Sequence, residues 1–170
     1  MLNRFFLINI LIIIALVFLQ VFIFNRINVS STYNPLIYVI WIFFFPTNKN
    51  KYLLLVLSFI LGFLIDFLCG TGGMHAFASV LLAAVRVFLL KITMGAQRDF
   101  DYFSFSEVNF IQILIYILIG TFLHHTVYFV IENFKINYSL IHIISFSSLN
   151  ALISTLFIYL FYYLFSNLIK

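Results

Sequence analysis

Charge is what this sequence has least of. Nine Lys and Arg and five Asp and Glu make up 8% of its 170 residues, where a soluble domain carries about a quarter. A water-facing surface cannot be built from that supply, so a soluble globular domain is excluded. The +4 net charge is thin and sits near the ends of apolar runs. It bears on topology and not on nucleic acid, for which no affinity is expected. Cysteine occurs once, as Cys69, which excludes an intrachain disulfide; it reads as a small apolar residue in a helix. The first apolar segment has no small-residue cleavage site, since 20–28 holds neither alanine nor glycine. It is therefore expected to be a retained helix and not a signal peptide.

What is present is hydrophobic: 65% of the chain. The run 10–19 is continuously apolar, and 53–65 is so but for Ser58. A membrane barrel would show short alternating segments, whereas a helix satisfies its own backbone in lipid and tolerates continuous runs. The fold class read from this is an all-α, polytopic membrane helix bundle of about six transmembrane helices in one domain, 1–170. The segments are expected near 5–24, 32–46, 52–69, 74–92, 108–131 and 138–165. The second is short for a span and ends at Pro46, so a tilted and a re-entrant course both remain open. Gly70, Thr71, Gly72 and Gly73 form a tight turn between the third and fourth helices. The stretch 95–107, with Arg98, Asp99, Asp101 and Glu107, is the most polar, and 132–137 reads as a loop. Tyr159, Tyr162 and Tyr163 suit a membrane interface.

With six crossings, Arg4, Lys49, Lys51, Lys91, Arg98 and Lys170 share one side, and Arg26 and Lys135 the other. The positive-inside rule then puts both termini in the cytoplasm. A re-entrant second segment gives the same six-to-two bias with the N-terminus outside. The even count is the expectation adopted.

Polar residues at membrane depth are the candidate functional positions. Ser58, Gly62 and Asp66 recur every four residues and share a face of the third helix. On the fourth, His75, Ser79, Ala83 and Arg86 form a polar or small stripe towards the bundle. By helical rise Asp66 lies near the depth of His75, and Arg86 about 12 Å deeper. An Asp66–Arg86 ion pair is thus poorly placed and an Asp66–His75 pairing fits better. Arg86 is expected to snorkel or to bind carbonyls of a neighbouring helix. For Asp66 itself, a binding site and a hydrated helix end weigh equally. The fifth helix carries Gln112, Tyr116, Gly120, His124, Tyr128 and Glu132 in a spiral stripe. His124 and His125 point about 100° apart and do not make a bidentate metal site, so structural hydrogen bonding is expected of them. His142, Ser145, Ser148, Asn150 and Thr155 are expected to bond between helices. No catalytic set, cofactor motif or metal motif is present, and no enzyme activity is expected.

The stretch Gly62–Phe–Leu–Ile–Asp66, the turn Gly70–Thr–Gly–Gly–Met–His75–Ala–Phe–Ala–Ser79 and then Ala83–Ala–Val–Arg86 resemble the rod shape-determining MreD family, in its Bacteroidetes-like version. The short second segment followed by a basic loop matches as well. The hydropathy layout agrees over the whole chain, but the specific residues fall within 62–86, and Val87 stands where relatives carry a proline. The resemblance implies a non-enzymatic scaffold of the bacterial cell-wall elongation complex in the inner membrane. Its implied partners are MreC, MreB, a RodA-type glycosyltransferase with its transpeptidase, and lipid. It implies no catalytic residues and no cofactor. Partner-binding candidates are Gly62, Asp66, Gly70, Gly72, Gly73, His75, Ser79 and Arg86. The fold of that family is similar to the substrate-binding subunits of energy-coupling-factor transporters, so the alternative is a small-molecule-binding subunit of a vitamin transporter. An outward-facing polar pocket would favour the transporter subunit, and an apolar outer groove the scaffold.

Overall fold

The computed structural model describes residues 4–27, 34–95, 105, 108–137 and 139–169. The polar residues Arg98, Asp99, Asp101 and Glu107, the helix extension at 32–33, and Lys170 lie outside the described residues. The chain is a polytopic membrane helix bundle. Its α-helices are α1 (Arg4–Phe22), α2 (Ile40–Phe44), α3 (Lys51–Cys69), α4 (Met74–Met94), α5 (Phe110–Ile136) and α6 (Leu140–Ile169), with a 3-10 turn at Phe24–Arg26 after α1. No strand occurs among the described residues. All but α2 are long and apolar enough to cross a membrane. Side chains such as Leu11, Phe67, Phe88 and Leu156 point outward, as lipid-facing residues do.

Among the long helices, expected and observed boundaries differ most at α5. The expected loop 132–137 is largely its last turn, and the helix closes at Asn137 in the left-handed conformation (φ 59°). Asn50 and Asn109 cap α3 and α5 with their side-chain oxygens, which accept from Tyr52 N and Ile111 N. That meets part of the helix N-terminal donor deficit.

The second segment departs most from expectation. Only α2, five residues, is helical, where a helix over 32–46 was expected. Even so, segment 34–46 crosses the bundle. The carbonyl of Pro35 accepts from Gln20 Nε2 near the end of α1, at 3.0 Å. Trp41 Nε1 donates to Asn9 Oδ1 at 2.9 Å, and the Phe45 ring meets Phe5 at the start of α1, edge to face. From Gln20 back to Phe5, α1 rises about 22 Å. The ten residue steps from Pro35 to Phe45 would rise only about 15 Å as a helix, so the chain is stretched over 34–37, turns at 38–39, where Ile40 N bonds the Ile37 carbonyl, and coils for little more than one turn after it. Lys49 then lies over the Phe5 ring, and α3 starts beside the start of α1.

This course sorts the described chain into two ends. Arg4, the 46–51 loop, the end of α4, the start of α5 and the end of α6 share one, tied by Phe44 stacked on Tyr162 and Phe110 edge-on to Tyr159. The 3-10 turn, Asn34, the glycine turn and the α5–α6 connection share the other, where Asn25 Nδ2 donates to Cys69 Sγ.

Candidate functional site

Irregular backbone at membrane depth needs protein partners for its N–H and C=O groups, and four helices provide them. Gln20 Oε1 on α1 accepts from Ile37 N at 2.8 Å and from Tyr38 N at 3.3 Å. On α6, Ser154 Oγ accepts from Leu36 N and Asn150 Oδ1 from Asn34 N. On α4, Arg86 Nε donates to the Phe43 carbonyl at 3.2 Å, and its Nη2 donates to the Phe45 carbonyl. On α5, the Tyr116 hydroxyl also donates to Phe43 O. The expectation that Arg86 binds carbonyls of a neighbouring segment therefore holds, and the carbonyls belong to the broken crossing. Arg86 is 2% exposed, and Tyr38, Ile42 and Phe43 are fully buried.

The glycine turn joins α3 to α4 at close quarters. A Cβ at Gly62 would lie 2.5 Å from both the Ala76 Cα and the His75 carbonyl oxygen, so only glycine permits this approach. Gly70, Gly72 and Gly73 all have positive φ. Asp66, 4% exposed, closes the turn: Oδ1 accepts from Thr71 Oγ1 and from His75 N, and Oδ2 accepts from Ala76 N at 2.8 Å. The carboxylate thus caps the start of α4, where the helix dipole favours it. Its link to His75 is to the backbone; the imidazole turns elsewhere.

That imidazole joins a second network. The Tyr38 hydroxyl bridges His75 Nδ1 (3.0 Å) and His124 Nε2 (2.9 Å). His125 Nε2 hydrogen-bonds Ser154 Oγ at 2.9 Å. Both histidines of α5 are buried and engaged in this way, as structural bonding requires. Thr155 pairs with Thr121 across α5 and α6. His142 is exposed, and its Nδ1 hydrogen-bonds Ser139 Oγ one turn away. Ser145 is likewise exposed, because that face of α6 turns outward. Ser79 is fully buried, on the inward stripe expected of α4.

Concavities remain among the described residues. A polar cavity of about 240 Å³ opens at the glycine-turn end, lined by Asn25, Asn34, Cys69, Thr71, His75, His125, Tyr128, Glu132 and Asn150 among others. An apolar groove of about 670 Å³ runs between α1, α2 and α6, along Ile8, Ile12, Leu16, Trp41, Phe44 and Phe161. Another, of about 600 Å³, lies between α5 and α6.

Of the residues quoted for the resemblance, Gly62, Asp66, the turn glycines and Arg86 all build the scaffold, and His75 both bonds Tyr38 and lines the cavity. Sequence reasoning missed Gln20, Asn9, Tyr38 and Ser154. Their signal was a polar group inside an apolar run, which marks buried bonding without naming the partner. No protein-family model, no curated protein and no solved structure matches the chain.

Proposed function

We propose that the chain is a non-enzymatic membrane scaffold of the MreD kind. It would hold MreC in the bacterial inner membrane and through it serve MreB and the peptidoglycan synthases. The observation that carries this reading is the use made of the signature residues. Gly62, Asp66, Gly70–Gly73 and Arg86 close the α3–α4 hairpin and clamp the broken crossing, so a sequence signature of this kind is what preserving such a bundle requires. The apolar groove along α1 and α2 is the feature expected of a scaffold for a single-span partner, which would bind by close packing. The charge bias supports cytoplasmic termini. Among the described positions, Arg4, Lys49, Lys51 and Lys91 lie at one end and Arg26 and Lys135 at the other, and the richer end is the cytoplasmic one.

The test is affinity purification of the full chain in mild detergent, together with depletion. Co-purification of MreC and rounding of depleted cells are expected. Recovery of a transporter ATPase, with loss of vitamin uptake at normal cell shape, would replace the scaffold by the second reading, a small-molecule-binding membrane subunit. The polar cavity at the glycine-turn end favours that reading.

A further inference from the structure

The apolar groove between α1, α2 and α6 has a width that limits its occupant. It follows α1 from Phe5 to Leu19, about 21 Å of helical rise. With a volume of about 670 Å³, its mean cross-section is about 32 Å² over that rise. A helix about 10 Å across has a section of about 80 Å². A partner helix can therefore rest only side chains in this groove, whereas an extended alkyl chain fits it whole. Polar groups in its wall are already bonded: Asn9 Nδ2 donates to the Phe5 carbonyl, and Asn9 Oδ1 accepts from Trp41 Nε1. A polar ligand group lying there would find no partner, and a hydrocarbon needs none.

One end of the groove is positively charged. Phe5 and Pro46 line it there. Lys49 N bonds the Pro46 carbonyl, and this turn brings Lys49 Nζ to 5.1 Å from the centre of the Phe5 ring. Arg4 precedes Phe5 at the start of α1 and is exposed. The acidic residues among those described, Asp66 and Glu132, lie at the opposite end of the bundle. By sequence, the segments that meet at the Lys49 end carry six Lys and Arg against three Asp and Glu. An apolar slot of one chain's width that ends under cations complements a molecule with a hydrocarbon tail and an anionic head.

We propose that this groove binds an anionic phospholipid, one acyl chain lying along Ile8, Ile12, Leu16 and Trp41 and the phosphate held by Lys49 and Arg4. The site goes beyond the scaffold reading and does not rest on it. Another face of α1, with Leu7, Leu11, Ile14 and Phe18 exposed, is left for a partner helix.

Trp41 makes the test direct, because it is the sole tryptophan and lines the groove. The full chain is reconstituted into phosphatidylcholine vesicles. A minor, equal fraction of the lipid is replaced by phosphatidylglycerol or by phosphatidylcholine brominated on its acyl chains, and quenching of Trp41 fluorescence is read. The site should favour phosphatidylglycerol over phosphatidylcholine at least about fivefold. Arg4→Gln with Lys49→Gln, both at exposed positions, should remove the preference while quenching by brominated phosphatidylcholine persists. Lys91→Gln, exposed at the same end but on α4, should keep it. Equal quenching by the two lipids in wild type overturns the proposal. So does a loss in Lys91→Gln as large as in Lys49→Gln alone, which would mean diffuse charge and no site. A preference that survives the double substitution removes the headgroup contacts assigned here. If neither brominated lipid quenches Trp41, protein covers the groove, a second copy or a partner helix, and the lipid site falls. Co-purification of MreC is read separately, so the lipid site and the scaffold reading can fail independently.

Discussion

One oxygen atom of Gln20 holds two consecutive peptide N–H groups of the broken crossing, Ile37 N at 2.8 Å and Tyr38 N at 3.3 Å. The same side chain's Nε2 donates to the Pro35 carbonyl and to Asn25 Oδ1. At 1% exposure, this amide stands in for the ladder that a helix would have supplied. Gln20→Leu should cost about 2–4 kcal/mol, since it strands buried donors whose loss is worth about 1–3 kcal/mol each. Gln20→Glu keeps the acceptors and should cost less. Thermal unfolding in detergent measures both; equal melting of Gln20→Leu and wild type would contradict the bonding described.

Arg86 acts from the opposite side of the segment. Its bonds go to two carbonyls 43 and 41 residues upstream, and they need a fork. Arg86→Lys keeps the charge but reaches fewer acceptors. It should restore only part of the stability lost in Arg86→Met, a loss of about 2–4 kcal/mol. Faster tryptic cleavage at Lys49 in both variants, graded Met above Lys, would report loosening of the segment end.

The two helix-borne glycines should rank in order of what surrounds them. A Cβ at Gly62 meets backbone atoms of α4, while one at Gly120 meets the Phe43 ring. Backbone cannot turn aside as a ring can. Gly62→Ala should therefore destabilise by about 1–3 kcal/mol, and Gly120→Ala by less. The reverse order in denaturation would show that α3 and α4 are not in close approach at this level.

Topology gives a fourth prediction. In a Cys69→Ser background, Lys49→Cys and Ser139→Cys are both exposed and lie at opposite ends of the bundle. A membrane-impermeant maleimide added to intact cells should label position 139 and spare position 49. Labelling at both positions would mean that one of α3, α4 and α5, the elements between them, does not cross, and labelling at 49 alone would invert the orientation.

Much of this arrangement was legible in the residues. The long helices follow from continuous apolar runs, the hairpin turn from Gly70 to Gly73, and the inward face of α4 from the spacing of His75, Ser79 and Arg86. The state of segment 34–46 was not legible. An apolar run of that length reads the same whether coiled or stretched, and the choice is made by Gln20, Arg86, Tyr116, Asn150 and Ser154, which lie from 14 to about 120 positions away. Asp66 was legible as a position but not as a role. A carboxylate three residues before a helix end reads equally as a ligand and as a cap, and only the fold of the turn onto His75 N and Ala76 N decides for the cap.

The stretched crossing also constrains how the molecule is made. Five helices can enter lipid as they emerge, since each satisfies its own backbone. Segment 34–46 cannot, because its donors at Asn34 and Leu36 are met by Asn150 and Ser154 on the last helix. Those residues are synthesised more than a hundred positions later. Until α6 is in place the segment has no complete set of partners at that depth, so it reaches its final position only when α6 docks. Biosynthesis of this protein thus closes on an event between its second segment and its last helix, and a variant that weakens that junction should be degraded before it is ever folded.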